Sequence, residues 1–387
     1  MSVSSRSLSA KRVPLLDLHA QNDPLRGEVL AAVARVVDSQ QFILGPDVSA
    51  FEAELASTYS LSHVVSCSSG SDALLLAILA AGIQPGEQVV VPSFTFFATA
   101  GAVSLAGAEP VFCDIEPETF TLEPSYLEEL AHRFPRIKAV IPVHLFGGTA
   151  DMDPILSIAR RYGWTVIEDS AQSIGATYRN RSCLSMGDMS TLSFFPTKNM
   201  GAMGDAGAVT TNSAALAERV FALRVHGSQQ RYRHDWIGLN GRMDTLQAAI
   251  LRVKLPHLGA WAAQRCSNSE MYRSLLREAG IPVQAPGSRD FQTNHVWNQF
   301  VIRASRRDEL RDHLTHCGIG TEIYYPTPLH LQPCYAHLGS RTGMLPESEK
   351  ASREVLALPI HPGLAVDDIE YVVDCIRSFY EREPAAG

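Results

Sequence analysis

Residues 193–207 read SFFPTKNMGAMGDAG, a stretch in which one lysine, Lys198, follows two aromatics and precedes glycines at 201, 204 and 207. The chain carries five lysines against twenty-eight arginines, so a plain positive charge at this position would ordinarily be supplied by arginine. Arginine keeps its proton near neutral pH, whereas a partly desolvated lysine can lose it, and the neutral amine can then bond to an aldehyde carbon. Twenty-nine residues earlier, TVIEDSAQ (165–172) closes a β-branched apolar run with Glu168 and Asp169. Strand alternation sends these carboxylates to opposite faces. Asp169 then sits at the carboxyl end of the strand, unless it only caps a helix beginning at Ser170. A third stretch, SCSSGSDALLLAILAAG (66–82), passes from a strand through a Ser/Gly turn into a helix, whose unpaired N–H groups suit a phosphate. It contains neither G-x-G-x-x-G nor G-K-[ST], which argues against a dinucleotide site and a P-loop. A phosphate seat, a strand-end carboxylate and a deprotonable lysine together meet the demands of pyridoxal 5'-phosphate (PLP).

These residues need a scaffold that brings strand ends together. Up to about residue 255, short apolar runs at 63–67, 87–92, 138–143, 164–169 and 207–211 alternate with helical stretches such as 70–82 and 153–163. That pattern predicts a mainly parallel sheet covered on both faces, with ligands at the carboxyl ends of its strands. Met243, Leu246, Ile250 and Val253 mark a helix over 243–255, closed by Pro256. Beyond it the pattern becomes helix, strand and loop, and 318–330 and 356–364 read as loops of a smaller domain. The expected division is a disordered arm over 1–12, a large domain over 13–255 and a small C-terminal α+β domain over 256–387.

Composition narrows the partners. The 387 residues are 45% apolar and 19% charged with a net charge of −8, and no run of Lys or Arg exceeds two. A nucleic-acid footprint or a polybasic membrane patch is therefore not expected, and no apolar run reaches the length of a membrane span. The opening MSVSSRSLSAKR lacks the apolar centre of a signal peptide. Seven scattered cysteines without C-x-x-C spacing fit a reducing cytoplasm, and the histidines show no metal-ligand spacing.

The motifs FILGPDVSAFEAELA, SSGSDAL, VPSFTFFATA, AVIPVHLFG, IEDSAQSIGA, SFFPTKNMGAMGDAG, GLNGRMDTLQAAILRVKL, YYPTPLH and LALPIHP follow one another along nearly the whole chain. In this order they resemble the DegT/DnrJ/EryC1/StrS family of PLP-dependent sugar aminotransferases, of the aspartate-aminotransferase fold (fold type I). The resemblance implies that Lys198 is the Schiff-base lysine and proton shuttle, and that Asp169 binds the pyridinium nitrogen. Gln172 then faces the phenolic oxygen, and Ala171 and Phe96 cover the two faces of the ring. It implies further that Gly70, Ser71 and Ser193 hold the phosphate and that Asn240 reaches the phosphate of a neighbouring subunit, hence a homodimer with shared sites. His226, Arg242, Tyr324, Tyr325 and His330 are the candidate substrate contacts; Tyr324 stands where relatives commonly have histidine. His144 reads as a core or supporting histidine, and the arginine-containing 228–236 as a flexible loop at the site mouth.

The implied reaction moves an amino group from an amino acid, L-glutamate, through pyridoxamine 5'-phosphate to C3 of a keto sugar nucleotide. The acceptor is either a dTDP-3-keto-6-deoxyhexose or a UDP-3-keto sugar or uronic acid. Alternatives are a keto-cyclitol acceptor, amination at C4, or a regulatory homologue that binds PLP without turnover.

Overall fold

The computed structural model describes residues 11–230 and 232–381, so most of the expected arm, residues 1–10, lies outside the described residues. Lys11 is anchored, its ammonium 2.8 Å from Asp368 Oδ1.

Seven strands form the main sheet: β1 (His63–Cys67), β2 (Gln88–Pro92), β3 (Glu109–Cys113), β4 (Ile137–Val140), β5 (Thr165–Asp169), β6 (Met189–Ser193) and β7 (Gly207–Thr211). Their order is β1-β7-β6-β5-β4-β2-β3. From β6 to β3 every pair is parallel, while β7 runs antiparallel to both β6 and β1. Alternation along β2 shows how both faces are covered. Val89 and Val91 pack with Leu76 and Ile78 of the helix Gly70–Ala81, and Val90 packs with Ile155 of the helix Met152–Tyr162 on the other side. The first of these helices is apolar almost all round, as befits a helix buried on most sides. Ser69 caps its start by accepting from Asp72 N at 3.0 Å, and Gly82 ends it with a φ of 78°.

A second antiparallel sheet is built from β8 (Val283–Gln284), β9 (Phe300–Ala304) and β10 (Val355–Leu358). Residues 356–358, expected within a loop, belong to this edge strand, which is buried throughout because VLAL presents apolar side chains to both faces. Their core includes Tyr272, Ile302, Leu310 and Val372, together with Val13 near the N-terminus. The segment 228–236 is a short hairpin, Ser228–Gln230 against Arg233–His234, where a flexible loop is expected; Arg231 lies outside the described residues. Among the described residues no helix is long and apolar enough to cross a membrane.

Candidate active site

The carboxyl ends of β5 and β6, the start of the helix Gly70–Ala81, the turn after β2 and the loop 322–330 enclose a cavity of about 600 Å³. Ten of the fourteen candidate residues line it: Gly70, Ser71, Phe96, Asp169, Ala171, Gln172, Ser193, Lys198, Tyr324 and Tyr325.

Lys198 projects from the turn after β6, where its N–H donates to Phe195 O at 2.9 Å. Burial pushes its pKa down to about 8, against the opposing pull of Asp169. Asp169 closes β5 with Oδ2 accepting from the Thr99 hydroxyl at 2.8 Å and Oδ1 from Ala171 N at 3.2 Å. Its burial raises the carboxyl pKa, while those hydrogen bonds, Lys198 and His144 oppose the rise. One residue earlier the chain turns its other carboxylate inward. Glu168 accepts from Met186 N and Gly187 N, each at 2.8 Å, and lies 2.9 Å from His144 Nε2. His144 is wholly buried, the supporting place expected of it.

Gln172 Oε1 accepts from Phe146 N at 2.7 Å, and Nε2 donates to the Tyr325 hydroxyl at 3.3 Å. Phe96 is 58% exposed at the mouth, its ring 6.3 Å from that of Tyr325. At the helix-start end of the cavity the fit is close. A Cβ on Gly70 would stand 2.6 Å from Ser193 Cβ, and one on Gly207 would stand 2.3 Å from Ser69 O. These two glycines let the helix start, β6 and β7 meet at van der Waals distance around a set of outward N–H groups.

Four candidates are not brought to this cavity. Asn240 is exposed, and its backbone bridges to Val225 away from the cavity of its own chain. Arg242, two residues further on, also lies off the cavity. His226 takes a left-handed backbone, φ 64°, and its carbonyl accepts from His234 Nδ1 at 2.9 Å. His330, expected to touch substrate, is instead 1% exposed, its ring held between Ser93 and Glu349, because the chain turns inward after Pro328. Conversely, Thr99, which grips Asp169, and Gln299, which lines the cavity, are absent from the candidates. The only sequence signal for Thr99 is a hydroxyl one turn beyond Phe96 in SFTFFATA.

The model of the DegT/DnrJ/EryC1/StrS aminotransferase family matches residues 24–377. A "Pleiotropic regulatory protein" of Geobacillus stearothermophilus is 47% identical over 371 residues, covering 96% of this chain and 99% of the relative. The dTDP-3-amino-3,4,6-trideoxy-alpha-D-glucose transaminase of Streptomyces venezuelae is 44% identical over 383 residues, covering 98% and 99%. The UDP-N-acetyl-3-dehydro-alpha-D-glucosamine 3-aminotransferase of Acidithiobacillus ferrooxidans is 42% identical over 365 residues, covering 94% and 97%. Among solved structures, S. venezuelae DesV in complex with a ketimine intermediate superposes with a TM-score of 0.92 at 44% identity, covering 96% of this chain and all of that one. Bacillus subtilis NtdA with bound cofactor PMP gives 0.88 at 31% identity, covering 97% and 86%. With its sheet order, its cavity at the strand ends and these full-length matches, the chain belongs to the DegT/DnrJ/EryC1/StrS aminotransferase family.

Proposed function

We propose that this protein is a PLP-dependent aminotransferase that carries an amino group from L-glutamate to C3 of a nucleotide-linked 3-keto sugar. The observation that carries this reading is the convergence of the Lys198 amine, the Asp169 carboxylate and a glycine-lined helix start on one cavity. These residues fit the cofactor. The helix start and Ser193 offer N–H and hydroxyl donors to a phosphate, Asp169 offers an acceptor to a ring N–H⁺, and Lys198 offers an amine to an aldehyde. When bound, PLP supplies the electron sink through which a donor's amino group is taken up and passed to a ketone.

The chain's own groups do the rest. With its pKa near 8, Lys198 is partly neutral at neutral pH and can accept a proton from a substrate carbon, then return it as an acid. Asp169 is oriented by Thr99 and Ala171, so its carboxyl group is fixed in place before any ligand arrives. Gln172 is locked at Oε1 by Phe146 N and presents its amide to the same space. Phe96 and the tyrosine pair wall the opening of the cavity.

C3 amination is supported by the names of the Streptomyces and Acidithiobacillus relatives, which carry dTDP- and UDP-linked sugars respectively. The regulatory name of the Geobacillus relative supports a non-catalytic reading, but the intact Lys198, Asp169 and Gln172 favour turnover. The same reading takes the protein as a homodimer in which Asn240, exposed and off its own cavity, completes the partner's phosphate site. It also takes residues 13–255 and 256–387 as two domains, the second organised around the core of β8–β10. The seven free thiols, four of them buried, support a reducing, cytoplasmic setting.

The test is direct. Protein purified with PLP should be yellow, and borohydride should fix the cofactor to the peptide carrying Lys198. Glutamate-treated enzyme should then lose its amine to 3-keto sugar nucleotides. A colourless protein indifferent to PLP refutes the aminotransferase, and reaction with free keto-cyclitols alone refutes the sugar-nucleotide acceptor.

A further inference from the structure

The wall formed by Tyr324 and Tyr325 is pinned at both ends. At one end Glu322 pairs with Ala357 of β10, whose N–H donates to Glu322 O at 2.8 Å. At the other, Leu329 N donates to Ser93 O at 2.7 Å and His330 N to Ser93 Oγ at 3.3 Å. Between them Pro326 and Pro328 restrict the backbone, so a displacement at His330 is carried to the tyrosines rather than absorbed. Ser93 directly follows β2, and the same turn carries Phe94, whose ring meets Tyr325 edge-on at 5.9 Å, and Phe96.

A side-chain chain lies beneath this junction. Ser93 Oγ is 2.6 Å from His330 Nδ1, and His330 Nε2 is 3.2 Å from Glu349 Oε1, which also accepts from Gly343 N at 2.7 Å. Ser93, His330 and Glu349 are 0%, 1% and 5% exposed. One proton arrangement satisfies all of them: the serine hydroxyl donates to Nδ1, and Nε2–H donates to the carboxylate. Burial pushes the imidazole pKa down and favours this neutral ring, against the pull of Glu349. The residue types resemble a hydrolase triad, but a fully buried serine whose oxygen already accepts from His330 N cannot reach a substrate carbonyl.

We propose that Ser93, His330 and Glu349 form a positioning relay that sets the tyrosine wall over the cavity and thereby governs binding of the sugar-nucleotide acceptor, but not the chemistry on the amino donor. Lys198 and Asp169 are held separately, by Phe195 O and by Thr99 and Ala171, and no atom of the relay bonds to them. The wall touches the cofactor side through the Tyr325 hydroxyl, which accepts from Gln172 Nε2 at 3.3 Å, while Gln172 Oε1 stays held by Phe146 N at 2.7 Å. A small donor is handled at the strand ends. The larger acceptor extends to the wall.

This inference rests on the proposed function, so two measurements are paired. In the PLP-loaded enzyme, the donor and acceptor half-reactions are followed separately by cofactor absorbance for wild type, His330→Asn, Ser93→Ala and Glu349→Gln. The variants should bind the 3-keto sugar nucleotide about tenfold more weakly, a loss typical of one misplaced contact, with the glutamate half-reaction within about twofold of wild type. Equal losses in both halves, or no loss in a folded variant, overturn the relay. Should His330→Asn fail to fold, Ser93→Ala and Glu349→Gln, which leave the imidazole in place, carry the same comparison. Hydrogen exchange of the cofactor-free protein reads the relay without any substrate. Faster exchange confined to 93–96 and 322–330 supports it, and unchanged exchange there overturns it. A wild type that processes glutamate yet accepts no sugar nucleotide counts against the functional reading alone, with the exchange data still deciding the relay.

Discussion

Lys198 has a second lysine at its back. Lys254, 3% exposed, donates to Gly201 O at 2.7 Å, three residues past Lys198 on the same loop. Burial alone pushes its pKa down to about 8 from 10.5. The unfolded chain keeps that proton to about 10.5, so between these values the unfolded state binds more protons and stability rises with pH. The cost of burying the ammonium is full below about 8 and gone above about 10.5. Wild type should therefore gain stability relative to Lys254→Met as the pH is raised from about 7 to about 10. Urea unfolding of the cofactor-free proteins measures it, and a constant difference across that range would refute a buried charged amine. Lys198 and Asp169 are legible in the sequence as cavity residues, because the chemistry proposed for them follows from residue type and place in a motif. Thr99 and His330 are not, since a hydroxyl or an imidazole takes its role from partners 70 and 237 residues away.

At the scale of elements, the strands that escape the sequence pattern do so for physical reasons. β6, MSTLS, does not read as an apolar run, yet Ser190 and Thr191 are buried at the centre of the sheet. Ser190 Oγ pairs with Ser170 Oγ at 2.7 Å and Thr191 Oγ1 donates to Glu168 O at 3.2 Å, so neighbouring chain satisfies what an apolar residue would not need. β3, EPVFC, contains a proline and is tolerated because it is an edge strand. The turn from β1 into the helix Gly70–Ala81 is legible, since Ser69 and the apolar run announce it, but its dependence on Gly207 is not. A methyl at 207 would drive into the Ser69 carbonyl and Gly70 N, 2.8 Å away, and displace the helix start as a unit. Gly207→Ala should cost about 1–3 kcal/mol of stability and weaken PLP binding more than it lowers kcat at saturating cofactor. Thermal unfolding and a PLP titration measure both, and undiminished PLP affinity would mean that this end of the cavity holds no phosphate.

For the whole molecule the pertinent fact is that one chain leaves candidate residues facing outward. Asn240 is exposed, Tyr232 in the hairpin before it and Ile237 just after that hairpin are 83% and 94% exposed, and Phe42 and Ile43 are 40% and 50% exposed. Apolar side chains this open are costly in a monomer and ordinary at an interface between copies. The homodimer proposed above makes a prediction that size alone does not. Lys198→Ala and Asn240→Ala should each be impaired, the first in chemistry and the second in holding PLP at low cofactor. Subunits of the two, unfolded and refolded together in equal amounts, distribute so that half the dimers are mixed. Each mixed dimer has one site with both defects and one with an intact lysine and an intact asparagine. Activity at limiting PLP should then recover to about one quarter of wild type. Recovery that fails while native mass spectrometry of differently tagged subunits shows mixed dimers would mean that each chain builds its phosphate site alone.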